Sequence, residues 1–238
     1  MPTNYSVSFI HKQKLTKNTY SFFFIRPPAF TFKAGQYIRL ILPHEHPDER
    51  GASRFFTISS SPHETEHLTV TVKISDSSFK KTLFSLKEYK RVQLFGPIGN
   101  LTLDRSKGDS VFMSGGMGIT PFRSMISYHN AKKLNKNIYL MAIFSSNEEF
   151  VFYDELINIS QVNSLIKVYY FITNTSKLKE NSESNRINNH FLTKIINTDK
   201  IHRFYIAGPP GIIELIFSNL SDLKINTSRI ITEYYTGY

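Results

Sequence analysis

The sequence predicts two domains, an antiparallel β-barrel followed by a doubly wound, mainly parallel α/β sheet. Three observations predict it. Up to residue 103, short segments alternate or cluster β-branched and aromatic residues between Gly and Pro, and only one segment is helical in pattern. From residue 104, short apolar strands alternate with helical segments, the rhythm of a parallel sheet covered on both faces. Two turns rich in Gly and Pro, "SGGMGITP" at 114–121 and "AGPPG" at 207–211, each follow a strand and open a helix. The domains are accordingly set at 1–103 and 104–238.

In chain order, "YSVSFIHKQ", "TYSFFFIRP", "QYIRLILP", "RFFTISS", "LTVTVKIS" and "RVQLFGP" read as strands. "SFKKTLFSLKEY" reads as a helix with Phe79, Leu83 and Leu86 at turn spacing. Several strands and one short helix suit a closed antiparallel barrel. In the second part "SVFMS", "NIYLMAIFS", "IKVYYFIT", "RFYIAG" and "RIITEYY" read as strands. "PFRSMISYHNAKKLN", "VFYDELINIS", "NHFLTKIIN" and "IIELIFSNLSDL" read as helices, the first carrying Phe122, Met125, Ile126 and His129 on one face. The polar stretch "NTSKLKENSESNRINN" reads as a loop, a suitable cover for a ligand. "HEHPDER", residues 44–50, offers His44, His46, Asp48 and Glu49. Pro47 and Gly51 bracket it as a polar hairpin tip rather than a metal site.

Composition narrows the chemistry. The 238 residues contain no Cys, which removes disulfides, thiolate zinc sites, iron–sulfur clusters and cysteine nucleophiles from this stretch of chain. Neither a Gly-x-Ser-x-Gly elbow nor a His-Glu-x-x-His helix is present. Apolar runs such as "IYLMAIF" are too short to span a bilayer, and the amino terminus has no apolar core of signal-peptide length, so the protein reads as soluble and cytoplasmic. Net charge is +10 and uneven. Residues 1–103 carry 14 Lys+Arg against 7 Asp+Glu, and residues 104–238 carry 15 against 12. Such a surplus serves either as a solvated surface or as a face for an acidic partner. Aromatics interleaved with Lys would also suit single-stranded nucleic acid. Their alternation assigns them to a barrel core instead, so no nucleic-acid partner is expected.

The glycines of 114–121 permit a sharp turn and close approach of the backbone to a ligand. Thr120 suits an N-cap and Pro121 the first helical position. Free N–H groups at the helix start then favour an anion such as a pyrophosphate. The pattern is neither a Rossmann Gly-x-Gly-x-x-Gly nor a P-loop. A tight turn without any ligand needs the same residues. The second turn, at the same edge of the sheet, points to a dinucleotide held at both ends.

Taken together, "GGMGITPF" followed by "AGPPG", with "RFFT" upstream and "ITEYYTGY" at the end, resembles the ferredoxin–NADP reductase family. Within that family the chain is most similar to single-chain flavin oxidoreductases without an iron–sulfur domain. The resemblance runs in order along nearly the whole chain. It implies FAD, rather than FMN, on the barrel and NADH or NADPH on the α/β domain.

"RFFT" is similar to the family's Arg-x-Tyr-Ser/Thr. On that resemblance Arg54 pairs with a flavin phosphate and Phe55 lies in the same segment. Phe56 stacks on the isoalloxazine without the usual tyrosine hydroxyl, and Thr57 directs its hydroxyl to flavin N5. "VKISDSSFKKTL" resembles the second flavin segment, with Val72, Lys73 and Ile74 along the ring and Lys80 and Thr82 at the pyrophosphate. The Gly usual in that segment is missing here. The implied nucleotide contacts are Gly115, Gly116, Gly118, Ile119, Thr120 and Pro121 on one turn. Ala207, Gly208, Pro209 and Pro210 form the other, with Ala207 where many relatives carry Cys. In the tail, the resemblance places Glu233 near the reacting centre and Tyr235 over the second face of the flavin, with Tyr238 its rival. The catalytic set so implied is Thr57, Glu233 and Tyr235.

In relatives that use NADPH an Arg often follows the strand matched by "LMAIFSSNEEF". Glu148 and Glu149 stand near that point here and favour NADH, unless a cation of the 174–188 loop reverses the preference. The implied activity is hydride transfer from NAD(P)H to flavin N5, with electrons passing to an external ferredoxin or flavodoxin on the basic barrel. The alternatives are a small acceptor (free flavin, quinone or ferric chelate), a flavin-holding redox sensor without turnover, and a basic nucleic-acid binder. The flavin reading expects Phe56 to be presented rather than buried inward, and the 115–121 bend to be open.

Overall fold

The computed structural model describes residues 1–104, 108–173, 189–195 and 200–235. The chain divides into two compact units. Met1–Leu103 with Arg123–Ala131 form one, and Asp104–Phe122 with the chain from Lys132 onward form the other.

The first unit is built on six antiparallel strands: β1 (Thr3–Lys14), β2 (Thr19–Ile25), β3 (Tyr37–Ile41), β4 (Ser53–Thr57), β5 (His67–Lys73) and β6 (Arg91–Ile98). Their order is β4-β3-β6-β1-β2-β5. The bridge Ile58↔Val70, reinforced by Ser59 N–H to the Thr69 carbonyl at 2.8 Å, joins the two edges and closes the sheet on itself. Alternation fills the inside. Phe22 and Phe24 of β2, Ile38 and Leu40 of β3, Leu68 and Val70 of β5 and Leu94 of β6 are fully buried. Helix α1 (Ser78–Phe84) plugs this core with Phe79 and Leu83. The sequence pattern extends the helix to Tyr89, but it stops five residues earlier. Lys12 Nζ donates to the Phe84 carbonyl, satisfying an orphan acceptor of the last turn. Leu86 still packs on the core from the following turn.

The second unit is a parallel sheet of order β11-β10-β7-β8-β9: β7 (Asp109–Gly115), β8 (Ile138–Phe144), β9 (Ile166–Ile172), β10 (Ile201–Gly208) and β11 (Ile230–Tyr234). Helices α2 (Ile119–Lys132), α3 (Tyr153–Val162), α4 (Asn189–Ile195) and α5 (Pro210–Asp222) complete it. Val111, Met113, Phe204 and Ile206 face Leu192 of α4 and Ile213 and Ile216 of α5 in one core. On the opposite face Phe112 stacks on Phe122 at 4.8 Å and meets Tyr205 edge-on at 5.3 Å. The first strand, β7, is central, with its successors β8 and β9 on one side and β10 and β11 on the other. The topological switch point of this doubly wound sheet therefore falls between β7 and β10. Among the described residues no helix is long and apolar enough to cross a membrane.

From Arg123 to Ala131, α2 groups with the barrel. Arg123 Nη1 donates to the Glu64 carboxylate and to the Ser59 carbonyl, both at 2.9 Å, and Ser124 Oγ to the Ser60 carbonyl at 2.7 Å.

Candidate functional site

At the switch point the two Gly-rich turns lie side by side. Ala207 of β10 is in register with Ser114 of β7 on one side and with Glu233 of β11 on the other. The turns touch through backbone. A Cβ on Gly118 would fall 2.0 Å from the Ala207 carbonyl oxygen, and one on Gly208 would fall 3.0 Å from Gly115 N. These glycines let one turn seat against the other, a reason the sequence reading did not give for them. Gly116 differs. It adopts φ +50°, and a Cβ there would meet nothing within 4 Å, so the bend is sealed at Gly118 and open at Gly116.

Thr120 is not the N-cap. A 3-10 turn, Gly116–Gly118, runs straight into α2, so Thr120 and Pro121 already lie inside the helix. The Thr120 hydroxyl donates to the Met117 carbonyl at 2.9 Å. The glycines, by accepting the tight turn, start the helix earlier than the threonine-proline signal indicates. Ile119, Thr120 and Pro121 are buried. Pro209 and Pro210 open α5 as expected, with Pro210 at the first helical position.

The tail joins this edge. Tyr235 N–H donates to the Gly208 carbonyl at 2.8 Å, and its hydroxyl lies 3.4 Å from the Thr120 hydroxyl. Burial pushes the Glu233 carboxyl up to about 7, against a hydrogen bond from Tyr235 that holds it down. A raised carboxyl favours the fold in its protonated form. Its stabilising contribution is complete below the ordinary value of 4.5 and is lost as pH rises through about 7. Between pH 5 and 8 the melting temperature of the native protein should therefore fall relative to that of Glu233→Gln. Parallel melting curves would contradict this account of Glu233. Tyr238 lies outside the described residues.

On the barrel, Arg54 sits among fixed partners. Nη1 donates to the carbonyls of Gly51 (2.8 Å) and Ser53 (2.7 Å), and Nη2 to Asp48 at 2.6 Å. None of these bonds uses Nε. The guanidinium rests 5.1 Å from the centre of the buried Phe79 ring, which also meets Phe56 at 6.0 Å and His44 at 5.7 Å. The 44–50 segment thus links β3 to β4 with its acid turned onto arginine. Asp48 binds both Arg50 and Arg54, which hold its carboxyl down to about 2. Lys80 of α1 is buried, and its ammonium is pushed down first by that burial and then by Arg50, Lys73 and Arg54. Four cations converge here. Beside Lys80, the buried Ser77 hydroxyl at the N-cap of α1 has no hydrogen-bond partner and makes no cap bond.

Residues 6–103 match the oxidoreductase FAD-binding domain family, and residues 112–217 match the oxidoreductase NAD-binding domain family. The chain belongs to the oxidoreductase FAD-binding and NAD-binding domain families. Among curated proteins it is 30% identical over 141 residues to the glycine betaine monooxygenase reductase subunit of Pseudomonas aeruginosa, 58% of this chain and 38% of that protein. It is 24% identical over 237 residues to the flavohemoprotein of Oceanobacillus iheyensis, 95% of this chain and 57% of that one. The chain therefore spans less than two thirds of each. Among solved structures, ferredoxin NADP+ reductase from Neisseria gonorrhoeae with bound FAD and NADP superimposes with a TM-score of 0.78 at 20% identity, covering 97% of this chain and 98% of that one. The flavohem-like FAD/NAD binding domain of nitric oxide dioxygenase from Vibrio cholerae reaches 0.84 at 17% identity, covering 97% and 98%. At those identities the likeness shows the fold. The chain thus carries one oxidoreductase FAD-binding domain followed by one oxidoreductase NAD-binding domain.

The residues that the family resemblance names fall into distinct groups. Arg54 and Phe56 share a face of β4 with Ile38 and Leu40 as neighbours on β3, and Phe56 is half-buried against the core. Phe56 is thus neither fully presented nor fully buried. Phe55 points the other way and is 63% exposed. Thr57 is buried at the end of β4. Val72 is a core residue of β5, with Lys73 and Ile74 half-buried after it. Thr82 turns its hydroxyl to the Ser78 carbonyl at 3.0 Å, within α1. Sequence reasoning missed Ser77 and the hold of Asp48 on Arg54. An N-cap serine three residues before Lys80 was the available signal for the first.

The residues present fit the two cofactors. A buried lysine amid arginines and an orphaned serine hydroxyl suit a phosphorylated flavin. The open Gly116, at the switch point of a parallel sheet, suits a nucleotide.

Proposed function

We propose that the chain is an NAD(P)H-dependent flavin reductase that passes electrons to an external acidic carrier such as a ferredoxin or flavodoxin. The observation that carries it is the pair of turns at the ends of β7 and β10, closed against each other and open at Gly116, beside the raised Glu233. Bound FAD would supply the redox chemistry between reduced nicotinamide and an acceptor. Arg54, Lys80, Lys73 and the Ser77 hydroxyl hold the flavin phosphates. Phe56 and Thr57 position the ring from β4. Gly116 and Pro209–Pro210 receive the nucleotide at the starts of α2 and α5, at the switch point of the sheet. Glu233 retains a proton near neutrality, and Tyr235 orients it.

NADH is the preferred donor. Glu148 and Glu149 occupy a 3-10 turn, Asn147–Glu149, just past β8. Two carboxylates near a 2′-phosphate dianion oppose it by about 1 kcal/mol or more each, so kcat/KM for NADH should exceed that for NADPH by roughly tenfold or more. Replacing both by Gln should narrow the gap, and an unchanged ratio would remove them from the donor's site. The loop at 174–188 lies outside the described residues.

Turnover with NADH and either ferricyanide or a purified flavodoxin, at low and high salt, tests the acceptor. An acidic carrier predicts a steep loss of rate with salt. Equal rates at both salts would point to a small acceptor.

A further inference from the structure

Helix α2 serves both units. Its first turn, 119–122, continues the glycine turn at the end of β7, and from Arg123 it is part of the barrel unit. The bonds that hold it there are polar and converge on one segment, the link from β4 to β5. Arg123 Nη1 lies 2.9 Å from each oxygen of the Glu64 carboxylate and donates to the Ser59 carbonyl, also at 2.9 Å. The fully buried Ser124 hydroxyl donates to the Ser60 carbonyl at 2.7 Å, and the Ser127 hydroxyl to Glu64 at 3.3 Å. The link is itself fixed. Ser59, Ser60 and Ser61 are buried, and Ser61 N–H donates to the Glu64 carboxylate at 3.0 Å. From the other side Arg26 Nη1 donates to the carbonyls of Pro62 at 2.9 Å and Glu64 at 3.1 Å. Glu64 is thus held through its backbone by one arginine and holds another through its side chain.

We propose that Arg123 and Glu64 are positioning residues for hydride transfer, fixing the helix that carries the nucleotide turn to the link that follows the flavin strand. The proposal rests on the flavin-reductase reading above. Arg123 stands about one turn into α2, whose start continues Gly116–Gly118. Its acceptors follow directly on Thr57, the last residue of β4. Hydride transfer needs the reacting atoms within about 3–3.5 Å, and a misplacement of about 1 Å costs roughly a hundredfold in rate. Apolar packing alone lets a helix slip by such an amount. A short arginine–carboxylate bond is directional and does not. Loss of this tie therefore loosens where the nucleotide turn stands while removing no group assigned to flavin or nucleotide.

The test is anaerobic stopped-flow reduction of the bound flavin by NADH, and by NADH deuterated at the transferring position, in the native protein and in Arg123→Ala, Arg123→Lys and Glu64→Gln. In Arg123→Ala the limiting rate at saturating NADH should fall roughly ten- to a hundredfold, with a large deuterium isotope effect on that rate. The NADH concentration for half-saturation should stay within about threefold of native, and the flavin should be retained. Arg123→Lys keeps the charge and should recover part of the rate. Glu64→Gln keeps size and one acceptor oxygen, so it should fold even where Arg123→Ala does not, and should slow the limiting rate by a smaller factor. A purely structural pair would lower the melting temperature and leave the limiting rate per bound flavin native, which would overturn the proposal. A loss confined to half-saturation would overturn it as well, by assigning the pair to nucleotide binding. Native flavin that NADH fails to reduce would instead overturn the reductase reading itself.

Discussion

Replacing Gly118 by valine should cut kcat/KM for NADH by roughly 5- to 150-fold, while the protein keeps its flavin. The side chain would enter space held by the Ala207 carbonyl oxygen at 2.0 Å, its carbon at 2.4 Å and Gly208 N at 2.8 Å. All three are backbone atoms, and none can rotate away. Either the β7 turn or the β10 turn must shift, at a cost of about 1–3 kcal/mol or more by the usual penalty of overpacking. The backbone at Gly116 moves with it, so the loss is expected as raised KM for NADH, with the flavin retained by the proposed barrel contacts. Gly116→Ala is the control. Its Cβ meets nothing, and only the left-handed backbone resists it, by about 1–2 kcal/mol. A near-native KM in Gly118→Val would mean that the two turns do not form the nucleotide site.

Arg54→Ala should yield protein that loses its flavin on purification. Truncating one partner of a charge-assisted pair costs about 2–4 kcal/mol, or roughly 30- to 800-fold in dissociation constant. Arg54→Lys should fall between, since an ammonium cannot serve Asp48, two carbonyls and a phosphate together. Riboflavin, without phosphate, reports the alternative. If its weak affinity falls as far as that of FAD, Arg54 supports the barrel and does not read the phosphate.

The fold was legible in the sequence because its rhythm is strong. Phe22 and Phe24 alternate inward as a half-buried strand must, and the βα alternation after 104 left little freedom in sheet type. What escaped was set by contacts between distant segments. The end of α1 depends on Lys12 of β1, and the early start of α2 on a glycine turn whose Gly118 is braced by Ala207, far along the chain. The candidate site divided in the same way. The turns announce themselves through glycine and proline, and Arg54 through its motif. The orphaned Ser77 and the grip of Asp48 on Arg54 are properties of packing that spacing does not carry. Phe55 and Phe56 are alike in sequence, and only the β3 register separates them, one outward and one against Phe79.

The most direct test is the visible absorption spectrum of the purified protein under anaerobic conditions, recorded before and after addition of NADH and then, in a separate sample, of NADPH. The expected result is a yellow protein whose flavin band NADH bleaches within seconds and NADPH more slowly. A colourless protein that takes up no added FAD, or a yellow one that neither nucleotide bleaches, would contradict it.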